Sequence, residues 1–245
     1  MIETLQWTTL AVCALVSVAR IPSTLRGENR SLFGIFASMT LAILLSIKGP
    51  YLVIDQALGG INLANLLLRF VIFGVIFFMG IRISRGFSAD SAHRHITGKT
   101  GMLVLLVVSV VMVALFFSMD TAGSSAGLQA ISAKDDRNFA LVEYYGAAGR
   151  AYPAYVALAL LPALVRAAQD RLPVLVRIAA GLLALGGVAV ALTLLFPVIP
   201  PELGQIEFVI NYTAILCFVV GLALIWAARV VNGRGAGRQK TSTET

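Results

Sequence analysis

Seven stretches of this 245-residue chain are apolar over enough length to approach a membrane span, and short polar connections separate them. A hydrocarbon core of about 30 Å needs about 20 mostly apolar helical residues. The pattern predicts spans at about 4-19, 31-49, 62-83, 101-119, 140-165, 177-198 and 207-228. The expected fold is therefore all-α, a seven-transmembrane-helix bundle over residues 1-230 with a disordered basic tail at 231-245. Within the sixth span, Ala180, Ala184, Gly187 and Ala191 recur at i, i+4, i+7 and i+11, a smooth stripe. Helices in lipid associate by close backbone approach at such residues, so this face is expected against a neighbour. Pro50, Pro153 and Pro162 remove backbone donors and are candidate kinks.

Composition agrees with this pattern. Hydrophobic residues make up 58% of the chain and charged residues 13%, far from the usage of soluble domains. The mean hydropathy is +0.88, and the isoelectric point is near 9.8. The surplus of basic residues is topogenic. Fourteen of the nineteen Lys and Arg lie in one alternating set of connections: Arg20, Arg26 and Arg30, then 82-99, then 166-177, then 229-240. The opposite set holds only Lys48, Lys134 and Arg137. By the positive-inside rule the N-terminus is outside and the C-terminus cytoplasmic, in a multi-pass plasma-membrane protein. The same distribution argues against nucleic-acid binding. Glu3 before the first span and Arg20 after it reverse a signal peptide's polarity, so that helix is expected to be retained.

Charges inside the spans carry the functional reading. Arg69 interrupts an otherwise apolar run, at a cost of about 2.5–3.5 kcal/mol near a helix centre. Asn62, Asn65 and Arg69 share one helical face, Glu143 and Arg150 are seven apart on the fifth span, and Glu207 and Asn211 four apart on the seventh. All are expected in the outer half of the bundle. One reading is an outward-opening polar pocket lined by Asn65, Arg69, Glu143, Arg150, Glu207 and Asn211, with Tyr144, Tyr145 and Tyr152 nearby. Two arginines in low dielectric suit a carboxylate, a phosphate or a lipid headgroup. The other reading is structural: Arg69 pairs with Glu207 or Glu143, Arg150 lies near the interface, and the tyrosines form an interfacial belt.

Several chemistries find no support. GSSAG at 123-127 matches a nucleophile elbow around Ser125, but lacks the flanking strand and helix, and His93 and His95 fall on the far side of the bilayer. The HRH triplet offers two ligands without a third, and Asp135 and Asp136 too few oxygens for calcium. Cys13 and Cys217 each sit in an apolar run. The four lysines all lie outside the spans, which excludes a retinal Schiff base, and no NPxxY-like element marks the seventh helix. No cofactor, metal site or enzymatic activity is expected. The 120-138 connection is rich in small residues and sized for a lid or short surface helix.

KGPYLVIDQALGGINLANLLLRF, with its proline and its I-D before G-x-x-N-L-A, and VRIAAGLLALGGVAVAL together resemble a group of actinobacterial seven-helix integral membrane proteins of unassigned function, often labelled transporters. The resemblance implies a plasma-membrane bundle and transfers no substrate or catalytic residues. The expected role is transport of a small anionic or zwitterionic solute. The alternative is a membrane sensor or interaction subunit acting through a cytoplasmic protein partner at the basic connections. Besides the lipid bilayer, a small anionic ligand is the expected partner.

Overall fold

The structure, a computed structural model, describes residues 2–26, 30–199 and 206–228 except 208, 212, 215, 226 and 227. The tail expected at 231-245 lies outside the described residues. All regular elements among the described residues are helical. They are α1 (Ile2–Leu25), α2 (Arg30–Ser46), α3 (Lys48–Ala57), α4 (Leu63–Gly86), α5 (Asp90–Thr97), α6 (Lys99–Ser118), α7 (Gln129–Ser132), α8 (Asp136–Gln169) and α9 (Val174–Leu192). A 3-10 turn, Ala126–Leu128, precedes α7, and another, Thr193–Val198, follows α9. A last apolar helix runs over Val209–Ile225.

Among the described residues four helical runs are long and apolar enough to cross a membrane: Leu63–Gly86, Lys99–Ser118, Asp136–Gln169 and Val174–Pro197. A fifth forms if α2 and α3 count as one span broken by a 92° bend. These match the expected third to sixth spans. The expected second span, by contrast, is not one straight rod. It breaks at Ile47, whose backbone is extended, and Pro50 falls in the first turn of α3, where its missing N–H costs least. The apolar parts at the two ends of the chain, Trp7–Ala19 and Val209–Ile225, are shorter.

The surface confirms the solvent. On α6, Leu103, Leu106, Val107, Val110, Val111 and Phe117 are all exposed, a patch that hydrocarbon accepts and water would not. This is a membrane-embedded protein. Its centre is formed by α4, α6 and α8, where Phe73, Met112, Phe116, Tyr145 and Tyr152 are buried together. α2 packs on α4, and α1 on α2.

α9 packs along α8 as its small-residue stripe predicts. Ala180 and Ala184 are buried, and a methyl group on Gly187 would meet Ala157 at 3.8 Å. On its other side α9 meets the last helix through Gly186 and Gly221, and a Cβ on Gly221 would lie 2.9 Å from Leu183. Gly221→Leu should therefore cost about 1–3 kcal/mol by overpacking, read as a lowered Tm. Leu222→Ala, at an exposed position beside it, should leave Tm nearly unchanged.

Helix direction alternates, so connections gather at two ends. One, the loop end, carries the α3–α4 turn and residues 119–135. The other, the basic end, carries α5 and the α8–α9 connection; Tyr155 on α8 donates to the His95 carbonyl there at 2.8 Å.

Candidate functional site

Three layers are stacked from the loop end inward. The outermost is a buried hydrogen-bond network that sequence reasoning did not assign. Asp55, fully buried on α3, accepts from the backbone amides of Asn62 and Ala64, each at 3.0 Å. It also accepts from the Ser124 hydroxyl at 2.5 Å. The first two bonds satisfy amides at the start of α4, where the helix dipole favours an anion. Asn62 is equally buried, with left-handed φ of 61°, a conformation asparagine tolerates well. It lies before α4 rather than on the stripe expected to run from it to Arg69. Its side-chain carbonyl accepts from Tyr51 at 3.0 Å and from the Ser125 amide at 2.7 Å. Its amide donates to the Thr121 and Gly123 carbonyls at 3.1 and 2.7 Å. The bent α2–α3 unit, the head of α4 and the 119–135 loop are thus tied together.

The loop has further ties of its own. Asp135 caps α8, accepting from the Asn138 amide at 2.7 Å, and Lys134 pairs with Asp120 at 2.9 Å. The Lys134 ammonium, helped by the Ala122 amide, holds the Asp120 carboxyl below its ordinary range. The Asn138 amide does the same for Asp135. For a carboxyl depressed in the folded state, the stabilisation is full above the unfolded value, near 3.9, and disappears as pH falls through the folded value. Hydrogen exchange in 119–138, corrected for intrinsic rates, should thus be flat from pH 7 to about 5 and accelerate below about 4. The loop contains a four-residue helix, α7, with Ile131 buried.

The second layer contains the arginines. Asn65 is buried and accepts from the Tyr145 hydroxyl at 3.2 Å. Arg69, about one turn further along α4, sets its guanidinium carbon 5.6 Å from the Tyr145 ring centre. It lies over Gly149 on α8, where a methyl group would stand 3.1 Å from its Nη1. Arg150 is half-buried, 5.1 Å over the Phe196 ring, and its buried Nε makes no hydrogen bond. α8 starts at Asp136, before the position drawn from sequence, which puts Arg150 about 20 Å along the helix rather than at its rim. Among the described residues neither arginine forms an ion pair. Arg69, Glu207 and Glu143 are all near enough to act on the charge of Arg150.

Of the six expected site residues, Arg69, Glu143 and Glu207 are near enough to Arg150 to interact with its charge, but Glu143 stands about 10 Å before Arg150 along α8 and Asn65 about one turn before Arg69 on α4. Of the carboxylates, Glu207 is half-buried and Glu143 exposed, and Asn211 also faces outward. Tyr144 is exposed, as a belt residue would be, while Tyr145 and Tyr152 are interior packing residues. The direct Arg69 pair with Glu207 or Glu143, expected on the structural reading, does not form. Phe196, the ring beneath Arg150, was hidden in an apolar run.

The third layer is an apolar cavity of about 280 Å³ between α4, α8, α9 and the last helix. Ile76, Gly80, Pro153, Leu160, Val190 and Phe218 are among its walls, and none of the expected site residues is. Pro153 thus opens space in a helix that stays continuous.

No protein-family model, curated protein or solved structure matches this chain. His93 meets Ser84 at 3.2 Å at the basic end, while Ser125 is held at the loop end. The full length of α6, about 30 Å, separates them. Among the described residues no three His, Cys, Asp or Glu side chains group to hold a metal, and both cysteines are buried and free.

Proposed function

We propose that this chain is a plasma-membrane transporter of a small anionic or zwitterionic solute, with the site at Arg69 and Arg150. The observation that carries the reading is that both guanidinium groups face aromatic rings rather than carboxylates. Arginine presents five donors; a ring face satisfies none of them, and the Tyr145 hydroxyl takes at most one from Arg69. Such a group retains its capacity for a multi-oxygen anion. Glu207 close by supplies a place for the positive end of a zwitterion.

We place seven spans in the membrane, with the N-terminus outside and the C-terminus cytoplasmic, as in the actinobacterial seven-helix proteins that the sequence resembles. Support comes from the basic end, where Arg82, Arg85, Arg94, Lys99, Arg166, Arg171 and Arg177 all gather. The arginine layer then opens toward the outer leaflet. The 119–135 loop, tied to α3 and α4 through Asp55 and Asn62, stands above it.

The test is gradient-driven flux of organic anions into vesicles containing the purified protein. One anion class should be carried, and Arg69→Gln should reduce that flux about tenfold or more, the effect of losing one charge-assisted contact. Failure of every anion class to move, or equal flux through Arg69→Gln, would refute the transport reading.

A further inference from the structure

The arginine layer and the apolar cavity are in register. On α8, Arg150, Pro153, Ala157 and Leu160 follow at i, i+3, i+7 and i+10, on one face. On α4 the same holds for Arg69, Ile76, Gly80 and Ile83, at i, i+7, i+11 and i+14. Along the last helical stretch Glu207 stands seven residues before Ala214 and eleven before Phe218. Three walls of the cavity are therefore each headed by a charged residue, one or two turns toward the loop end. The rise from Arg150 to Pro153 is about 5 Å and to Leu160 about 15 Å.

We infer that the arginine site also takes an amphiphile, an anionic lipid of the surrounding bilayer with its headgroup at Arg69 and Arg150 and one acyl chain reaching into the cavity beneath. This rests on the arginine pair being an anion site, and goes beyond the transported solute by giving that site a second, chain-bearing class of anion. A small hydrophilic solute would use only the upper layer, whereas a chain-bearing anion uses both. The cavity, at about 280 Å³, lies just below the ~300 Å³ at which ligand pockets start, space for part of one chain. Its wall includes Val219, 60% exposed, so the space opens sideways into hydrocarbon and a lipid reaches it without crossing water. Chain and cavity are equally apolar, so the cavity gives selectivity for a chain-bearing anion, and the guanidinium contacts give most of the affinity.

The experiment measures Tm of delipidated protein in detergent with three probes: phosphatidylglycerol, phosphatidylcholine of the same chains, and glycerol phosphate. Phosphatidylglycerol should raise Tm by about 5 °C or more at saturation, phosphatidylcholine hardly at all, and glycerol phosphate by a smaller amount. Val190→Phe, which fills the cavity, should reduce the phosphatidylglycerol shift to that of glycerol phosphate and leave the latter unchanged. Val219→Trp, at the open wall, should do the same and serves if the first variant does not fold. Equal shifts from phosphatidylglycerol and glycerol phosphate, unaffected by either variant, would overturn the lipid while sparing the anion site. Equal shifts from the two lipids would overturn the choice of an anionic one. No shift from any anion would overturn both.

Discussion

Asp55→Leu should lower stability by about 3–5 kcal/mol, the largest loss from any single substitution at the loop end. The carboxylate accepts from two backbone amides and one hydroxyl, and leucine leaves two buried amides and a part-buried hydroxyl without an acceptor. Each such orphan costs about 1–3 kcal/mol, and hydrogen bonds to a charged group are at the upper end of that range. Ser124→Ala removes one donor together with its need for a partner, so about 1 kcal/mol is expected there. Asp55→Asn keeps the shape but turns one oxygen into a donor facing donors, and should fall between the two. Thermal melts of the three variants in detergent check the order. Limited proteolysis should find the 119–135 loop cut first in Asp55→Leu, because the Ser124 tie to α3 goes with the carboxylate. A loss for Asp55→Leu no larger than for Ser124→Ala would show that the network contributes little.

Arg150→Met should have its large effect elsewhere, on ligand response rather than on stability. The side chain holds an unpartnered buried Nε and stands near the like charge of Arg69. Its contact over Phe196 is worth about 0.5–2 kcal/mol. Methionine restores much of the packing and removes both the orphan atom and the repulsion. The variant should melt within a few degrees of wild type, yet bind the stabilising anion about ten to a hundred times more weakly, the loss of one charge-assisted contact. Titrating the Tm shift against anion concentration measures that ratio. A strongly lowered Tm with unchanged anion affinity would make Arg150 a structural residue.

The spans through α4, α6, α8 and α9 were legible because apolar runs longer than 18 residues dominate any local alternative. Placing Arg69 and Arg150 in the outer half of their spans followed from helical rise, while the contact of Arg69 with Gly149, the residue before Arg150, did not. Less legible was the break at Ile47, since the apolar run continues across it and its signal, Lys48–Gly49–Pro50, also suits a loop. Asp55 and Asn62 were visible as residues but not as partners. The clue was Gly59 and Gly60, both with positive φ, which turn the chain so that a carboxylate can reach the amides seven and nine residues ahead. The cavity left no trace in sequence beyond Pro153. It arises where four helices fail to fill the space between them, a property of packing rather than of any one segment.

Whether the arginines contact a ligand is most directly measured by a double-mutant cycle, Arg69→Gln with Glu207→Gln, by thermal melts with and without phosphatidylglycerol. Additive losses within about 0.5 kcal/mol, with the lipid shift abolished by Arg69→Gln and kept in Glu207→Gln, are the expected result. A coupling energy above about 1 kcal/mol, with no lipid shift in wild type, would make Arg69 half of a structural pair and contradict the anion site.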